Sequence, residues 1–381
     1  MEVKRIRLSK SCIGEAEKQA VMAVLDAEYL GMGTEVQKFE AALEAFFGRP
    51  VICTVNGTAG LQLALQACGV GYGDEVLVPS LTYLASYQAI SATGARPVSC
   101  DVDSHTLCLD PVDAEKRITP KTKAIMPVYY ASAPGLITQC YELAARHNLR
   151  IVEDAAHALG SYVGDKMVGT FGDVSCFSFD GIKNITAGEG GCVVSDNPET
   201  LQLIRDARML GIHKDTEARY RGERSWEFDV SNQGWRYHMS NIMAAIGLAQ
   251  LDRFDEFSSR RKSLGARYNA HFAKSNVVQP LVADFSGVVP HIYVVRIVGL
   301  LDRDGLRARM LENGIETGVH YLPNHNLSFY SGEGTEELAV TDREFPLMLT
   351  LPLHPDLTDV DVDKVVSVLL ANIDAFCSAQ N

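Results

Sequence analysis

The sequence predicts an α/β fold: a mostly parallel seven-stranded sheet flanked by helices, followed by a smaller α+β C-terminal section. Three observations carry this expectation. Seven short apolar runs lie between about residues 50 and 195, and several lack clean alternation, as strands buried on both faces do. Segments with helical spacing separate many of them, in the β-α-β manner that builds a doubly wound sheet. After about residue 200 the texture changes.

The strand runs are VICTV from Val51, EVLVP from Glu75, RPVSCDV from Arg96, AIMPVYY from Ala124, RIVEDAA from Arg150, SCFSFD from Ser175 and GCVVSD from Gly191. Between them, GLQLALQACG, LASYQAISATG and LITQCYELAARHN carry apolar residues at helical spacing, with Gly or Asn near their ends. Beyond residue 200, DARMLGIHKDTEARYRGERSWEFD is polar and loop-like, and SNIMAAIGLAQLDRFDEFSSRRKSLGARY reads as one long helical stretch. HIYVVRIVGL then reads as a strand, DGLRARMLENG as a helix and VDVDKVVSVLLANIDAF as a C-terminal amphipathic helix. The expected division is a large domain over 1–250 and a small one over 251–381, with the N-terminal arm free to pack on the small domain.

Composition narrows the function. The 381 residues are 46% hydrophobic and 22% charged, which excludes disorder and provides for a large core. A net charge of −13 without a Lys/Arg cluster argues against nucleic acid as a partner. The nine cysteines are scattered and none forms a C-x-x-C pair, so neither a disulfide framework nor a thiolate metal site is expected. The first twenty residues lack an apolar signal core, and the longest uncharged stretch, from Val76 up to Arg96, contains Pro79 and many polar side chains. No membrane span is expected, and the cytoplasm is the expected compartment.

Three motifs can carry chemistry. Asn56-Gly57-Thr58-Ala59-Gly60 joins a strand to a helix, and a helix start at a strand's carboxyl end suits a phosphate. Read alone, it is as well explained as an Asn-capped turn. Glu153-Asp154-Ala155-Ala156-His157 ends a strand with a carboxylate and an imidazole that can serve one ligand, although Asp154 could simply cap the next helix. Lys183 stands between a strand and a glycine-rich stretch; held in a partly desolvated pocket, such a lysine can form a Schiff base. No G-x-S-x-G elbow and no G-x-G-x-x-G fingerprint accompanies these motifs, which argues against a hydrolase triad and a nicotinamide-binding domain. Together, a helix start for a phosphate, a strand-end Asp and a Lys 29 positions later (183 − 154) are the parts that pyridoxal 5'-phosphate needs. Ser178 can add a phosphate donor.

The chain resembles the DegT/StrS-type sugar aminotransferases, fold-type-I pyridoxal phosphate enzymes acting on nucleotide-linked keto sugars. NGTAGLQLAL, GDEVLVPSLTYLAS, IVEDAAHALGS, GTFGDVSCFSF, KNITAGEGGCVVSD, MSNIMAAIGLAQLDRFDE and GVHYLPNH follow in the family's order, so the resemblance spans nearly the whole chain. It implies that Lys183 is the Schiff-base lysine and proton shuttle, and that Asp154 pairs with the pyridine nitrogen. It places His157 near the ring hydroxyl and Tyr83 on the ring face. It assigns the phosphate to Gly57, Thr58, Ala59 and Ser178, and the nucleotide-sugar substrate to His320, Tyr321 and His325. Two segments depart from the family. Arg236, in Gly234-Trp235-Arg236-Tyr237-His238-Met239, replaces an Asn that reaches the partner subunit's cofactor phosphate. Tyr129-Tyr130-Ala131-Ser132 replaces His-Leu-Tyr-Gly beside the substrate. Lys183 in place of the His of the family's sugar dehydratases points to transamination.

The expectation is therefore amino transfer from glutamate to a C4 or C3 ketone of a nucleotide-linked keto-deoxy sugar. Pyridoxamine 5'-phosphate would be the intermediate cofactor form and the active site would be shared across a homodimer. The product would serve amino-sugar biosynthesis, as for a lipopolysaccharide O-antigen, another surface polysaccharide or a glycosylated metabolite.

Overall fold

The computed structural model describes residues 5–213, 228–230, 232–331 and 337–377. Part of the expected polar loop, residues 214–227, lies outside them. The strands of the first half are β1 (Val51–Thr54), β2 (Glu75–Pro79), β3 (Arg96–Cys100), β4 (Thr122–Ile125) and β5 (Arg150–Asp154). A small hairpin of β6 (Tyr162–Val163) and β7 (Lys166–Met167) follows, and then β8 (Val174–Ser178) and β9 (Gly191–Val194). All but the hairpin join one seven-stranded sheet of order β1-β9-β8-β5-β4-β2-β3.

Six of these strands run parallel, and β9 runs antiparallel to both its neighbours, β1 and β8. A parallel return from β8 would need a crossover, usually helical. The glycine-rich segment after β8 forms no helix, so the chain turns back beside the strand it has just left. Both sheet faces are covered. Val51, Cys53, Phe177, Cys192 and Val194 join a core with Phe39 and Leu143. The alternate residues Ile52, Val152, Cys176 and Val193 join a core with Leu63 and Ile90 on the other side. Each such fully buried aliphatic side chain contributes about 1.5–3 kcal/mol.

Several boundaries differ from the sequence expectation. The run AIMPVYY yields a strand only to Ile125. Pro127 has no N–H for a ladder, and the chain turns at Tyr130–Ser132. The long helical stretch breaks at Arg253, whose φ of −100° and ψ of 7° leave the helix; it yields helices Asn241–Asp252 and Phe254–Phe272. At this break Arg253 forms an ion pair with the buried Glu17, 3.0 Å away. Helices Glu15–Asp26 and Thr34–Phe47 precede the sheet and pack on Asn241–Asp252.

A second core lies beneath an antiparallel sheet of β10 (Val278–Pro280), β11 (Tyr293–Ile297) and β12 (Met348–Leu351). Helices Phe254–Phe272, Arg303–Glu312 and Asp359–Asn372 cover it with Leu264, Leu306 and Val365. Ile6 of the N-terminal arm belongs to this core; its N–H donates to the Gly314 carbonyl at 2.8 Å, and its own carbonyl accepts from Glu316 at 3.0 Å.

Candidate active site

The carboxyl ends of β1, β5 and β8 open onto one cavity of about 450 Å³. Strand ends in an open α/β sheet are where ligands bind. After β1, Asn56 caps the helix Gly57–Ala67 by accepting the Ala59 N–H at 2.8 Å. The N–H groups of Gly57 and Thr58 begin the helix without helical partners, and both residues line the cavity with Ser178. The approach here is close. A Cβ on Gly57 would lie 2.9 Å from Ser178 Cβ, and one on Gly191 would lie 2.7 Å from the Gly57 nitrogen.

Asp154 ends β5 and is buried. Its Oδ2 accepts from Ser86 Oγ at 2.7 Å and its Oδ1 from the Ala156 N–H at 3.1 Å. Burial pushes this carboxyl above the usual carboxylate range, against those hydrogen bonds and the nearby Lys183 charge. Among the described residues no cationic side chain is hydrogen-bonded to it. A buried carboxylate facing a cavity in this way suits a cationic ligand atom.

Lys183 lies in the loop between β8 and β9, half-buried at the cavity wall. Its Nζ is 3.3 Å from His291 Nε2. Desolvation lowers its pKa to about 8; Asp154 and Asp180 oppose the shift and Arg261 adds to it. Three imidazoles surround this amine. The His157 and His291 rings lie 4.4 Å apart, and His157 Nε2 is 3.1 Å from the Tyr321 hydroxyl. Burial first, and Lys183 second, drive His157 and His291 far below 6.5 and His320 down to about 4. All three are neutral at pH 7, so Lys183 carries the exchangeable charge of this cluster. At the mouth, Tyr83 is 59% exposed and its ring lies 5.2 Å from that of Tyr321.

The cavity thus gathers Gly57, Thr58, Tyr83, Asp154, His157, Ser178, Lys183, His320 and Tyr321. Three expected residues lie elsewhere. The Ala59 N–H is occupied by Asn56, and Ala59 does not line the cavity. His325 is buried behind the wall, its Nδ1 2.6 Å from Ser80 Oγ and its Nε2 3.1 Å from Asp342 Oδ1. Arg236 is exposed, with its backbone bridged to Met209, and is not at its own chain's cavity.

Sequence reasoning missed Ser86 and His291. Ser86 sits in the LASYQAIS segment one turn after Tyr83, and nothing in its spacing announces a contact 68 residues away. His291 precedes β11 and meets Lys183 across 108 residues. Only the three-dimensional fold joins them.

Pyridoxal phosphate fits this cavity. Two helix-start N–H groups without partners among the described residues and Ser178 suit its phosphate, the buried Asp154 suits a protonated ring nitrogen, and Lys183, with its lowered pKa, suits its aldehyde. Among the described residues no His/Cys/Asp/Glu cluster could hold a metal, and no helix is long and apolar enough to cross a membrane.

Known proteins resemble this chain over nearly its whole length. The model of the DegT/DnrJ/EryC1/StrS aminotransferase family matches residues 11–370. The spore coat polysaccharide biosynthesis protein SpsC of Bacillus subtilis is 35% identical over 370 residues, covering 94% of each chain. The solved aminotransferase TlmJ from Streptoalloteichus hindustanus is 33% identical with a TM-score of 0.89, covering 97% of this chain and 99% of its own. The putative sugar aminotransferase Spr1654 from Streptococcus pneumoniae, in its PMP form, is 30% identical with a TM-score of 0.90, over 97% and 99% of the two chains. Spr1654 is also solved in PLP and apo forms.

Proposed function

The chain belongs to the pyridoxal phosphate-dependent DegT/DnrJ/EryC1/StrS aminotransferase family, and from that premise we propose that it transfers an amino group from glutamate to a nucleotide-linked keto-deoxy sugar. The receiving ketone is at C4 or C3. The observation that carries the reading is the meeting of Lys183, Asp154 and the Gly57 helix start in one cavity. We place the active enzyme in the cytoplasm as a homodimer, with Arg236 reaching the partner subunit's cofactor phosphate as a charged donor. Its exposure on its own chain leaves it available for that contact. We take the two separate cores as the large and small domains, divided near residue 250.

When bound, pyridoxal phosphate supplies an aldehyde carbon for the amino group and a pyridine ring that withdraws electrons. The chain's residues do the rest. Gly57, Thr58 and Ser178 hold the phosphate, and Asp154 keeps the ring nitrogen protonated. Ser86 fixes the carboxylate's orientation at 2.7 Å. With a pKa of about 8, about one tenth of Lys183 is free amine at pH 7, far more than for an ordinary lysine. Its Nζ removes the α-proton of glutamate and later returns a proton during amination of the sugar. The neutral His157 and His320 leave that proton to Lys183. Tyr83 and Tyr321 flank the entrance, where His320 and Tyr321 meet the sugar nucleotide. A relative named for spore coat polysaccharide biosynthesis supports an amino sugar destined for a surface polysaccharide, with a glycosylated metabolite as the other destination.

The test mixes cofactor-loaded protein with glutamate and follows the absorption spectrum. Loss of the bound aldehyde form's band together with 2-oxoglutarate production is expected. Screening keto sugar nucleotides for reoxidation of the pyridoxamine form then identifies the acceptor. A spectrum indifferent to glutamate refutes the proposed donor.

A further inference from the structure

We propose that His291 is a positioning residue for the proposed reaction: its Nε2 accepts one N–H of Lys183 and so turns the amine's lone pair toward the cavity. The assignment rests on the reading of Lys183 as the proton carrier. An amine has two N–H bonds and one lone pair, and it acts as a base only where that pair points at the proton to be taken. The 3.3 Å contact between Nζ and Nε2 fixes one N–H direction. A carboxylate in the same place would hold the protonated form instead; among the described residues none lies within ion-pair distance of Nζ. A neutral imidazole accepts the bond without trapping the proton.

The environment keeps His291 to that role. It is 3% exposed, and its buried Nδ1 has no partner among the described residues. The tautomer required carries its proton on Nδ1, a buried donor without a partner whose cost the contact with Lys183 offsets, and leaves the Nε2 lone pair for Lys183. The ring lies against that of His157, and burial beside Lys183 keeps it from becoming a competing base.

His291 is also fixed from behind. Its N–H donates to Ser132 Oγ at 3.0 Å, and Ser132 Oγ in turn donates to the His157 carbonyl. Its carbonyl accepts from Arg261 Nη1 at 3.1 Å, and Arg261 Nη2 reaches the Lys183 carbonyl at 3.4 Å. One hydroxyl therefore ties His157 to His291, and one buried guanidinium ties His291 to Lys183. Ala131 and Ser132 sit at φ of 50° and 69°, successive non-glycine residues in the left-handed region. Such conformations persist where surrounding contacts over-determine them, and they cluster at functional sites. Ser132 and Arg261 are positioning residues in this arrangement.

The proton balance is simple. A C–H bond of the substrate breaks, an N–H bond forms on Nζ, and the electron pair stays with the carbon. The resulting ammonium keeps its contact with His291, later gives the proton back, and His291 ends unchanged.

The experiment uses full-length protein stripped of cofactor. Trace acetylation of Lys183 is followed by mass spectrometry over about pH 6–10, a range that spans lowered and ordinary lysines. Lys183 is faced by Asp154, Asp180 and Arg261 and by the neutral His157, His291 and His320. In the unmodified sequence the midpoint is expected at about 8. His291→Phe removes an acceptor that favours the ammonium, so the midpoint falls by about one pH unit, a tenfold change in the equilibrium. His291→Gln keeps an acceptor oxygen and restores most of the shift. In the loaded protein, His291→Phe lowers kcat with glutamate by about tenfold or more at unchanged KM, as loss of a transition-state interaction does. A midpoint near 8 that is identical in His291→Phe overturns the role of His291 alone. A midpoint at the ordinary lysine value in the unmodified sequence overturns the reading of Lys183 and this inference with it.

Discussion

Replacing Asp154 by Asn separates two effects that have opposite signs. In the cofactor-free protein the carboxylate is buried, and its pKa is raised above that of an unfolded chain. An acid raised in the folded state costs stability as pH climbs through the unfolded value, and the full cost is present above the folded one. Asn removes that charge, keeps an oxygen for the Ala156 N–H and can pair with Ser86. The cofactor-free variant is therefore expected to melt no lower than the unmodified protein at pH 7. With the cofactor bound, the same change leaves a buried cation at the ring nitrogen without its counterion. Removing one partner of a buried ion pair costs about 3–5 kcal/mol. At 1.36 kcal/mol per decade, that is a loss of roughly 10²–10⁴-fold in the glutamate half-reaction. The assay pairs stopped-flow absorption of the bound cofactor with thermal melting of the stripped protein. A half-reaction within about tenfold of the unmodified rate refutes the ring-nitrogen role.

Three further outcomes follow from the same geometry. Lys183→Ala should abolish any cofactor adduct that borohydride can fix, and a retained adduct, mapped by mass spectrometry, would place the reactive amine elsewhere. Gly57→Ala puts a Cβ 2.9 Å from Ser178 Cβ and should weaken cofactor binding by about tenfold or more, at roughly 1–3 kcal/mol of overpacking; unaltered affinity in a cofactor titration would remove the phosphate from this helix start. Arg236→Ala should speed cofactor loss on dialysis of the dimer, and an unchanged loss rate would return Arg236 to an ordinary surface role.

The sheet was legible because its strands are apolar on both faces. The residues of VICTV and GCVVSD divide between two cores, and that demand writes itself as continuous hydrophobicity. The direction of β9 was hidden, since it depends on whether the Lys183 loop crosses over or turns back. Pro127 explains where β4 fails, and at the break Arg253 meets Glu17, a partner far away in sequence. At the candidate site, Gly57, Asp154 and Lys183 were legible because each stands beside a strand in a local motif. Ser86 and His291 were not, because each acquires its partner only when distant segments meet. His325 and Ala59 stand in the right segments, and competing hydrogen bonds claim them first.

The antiparallel β9 has a mechanical consequence. Ser178, Lys183 and Gly191 belong to one continuous out-and-back segment of the large sheet, and Gly191 runs so close to the Gly57 nitrogen that a Cβ there would lie 2.7 Å from it. The seat for a phosphate and the amine that meets an aldehyde are therefore gauged by the same piece of chain. His320 and Tyr321, by contrast, enter from the segment leading into β12. A small shift between the two sheets changes the room left for an incoming sugar and moves His291 against Lys183, while the phosphate seat of Gly57, Ser178 and Gly191 keeps its dimensions. Substrate range can then drift by altering one wall, with the phosphate seat held in the other.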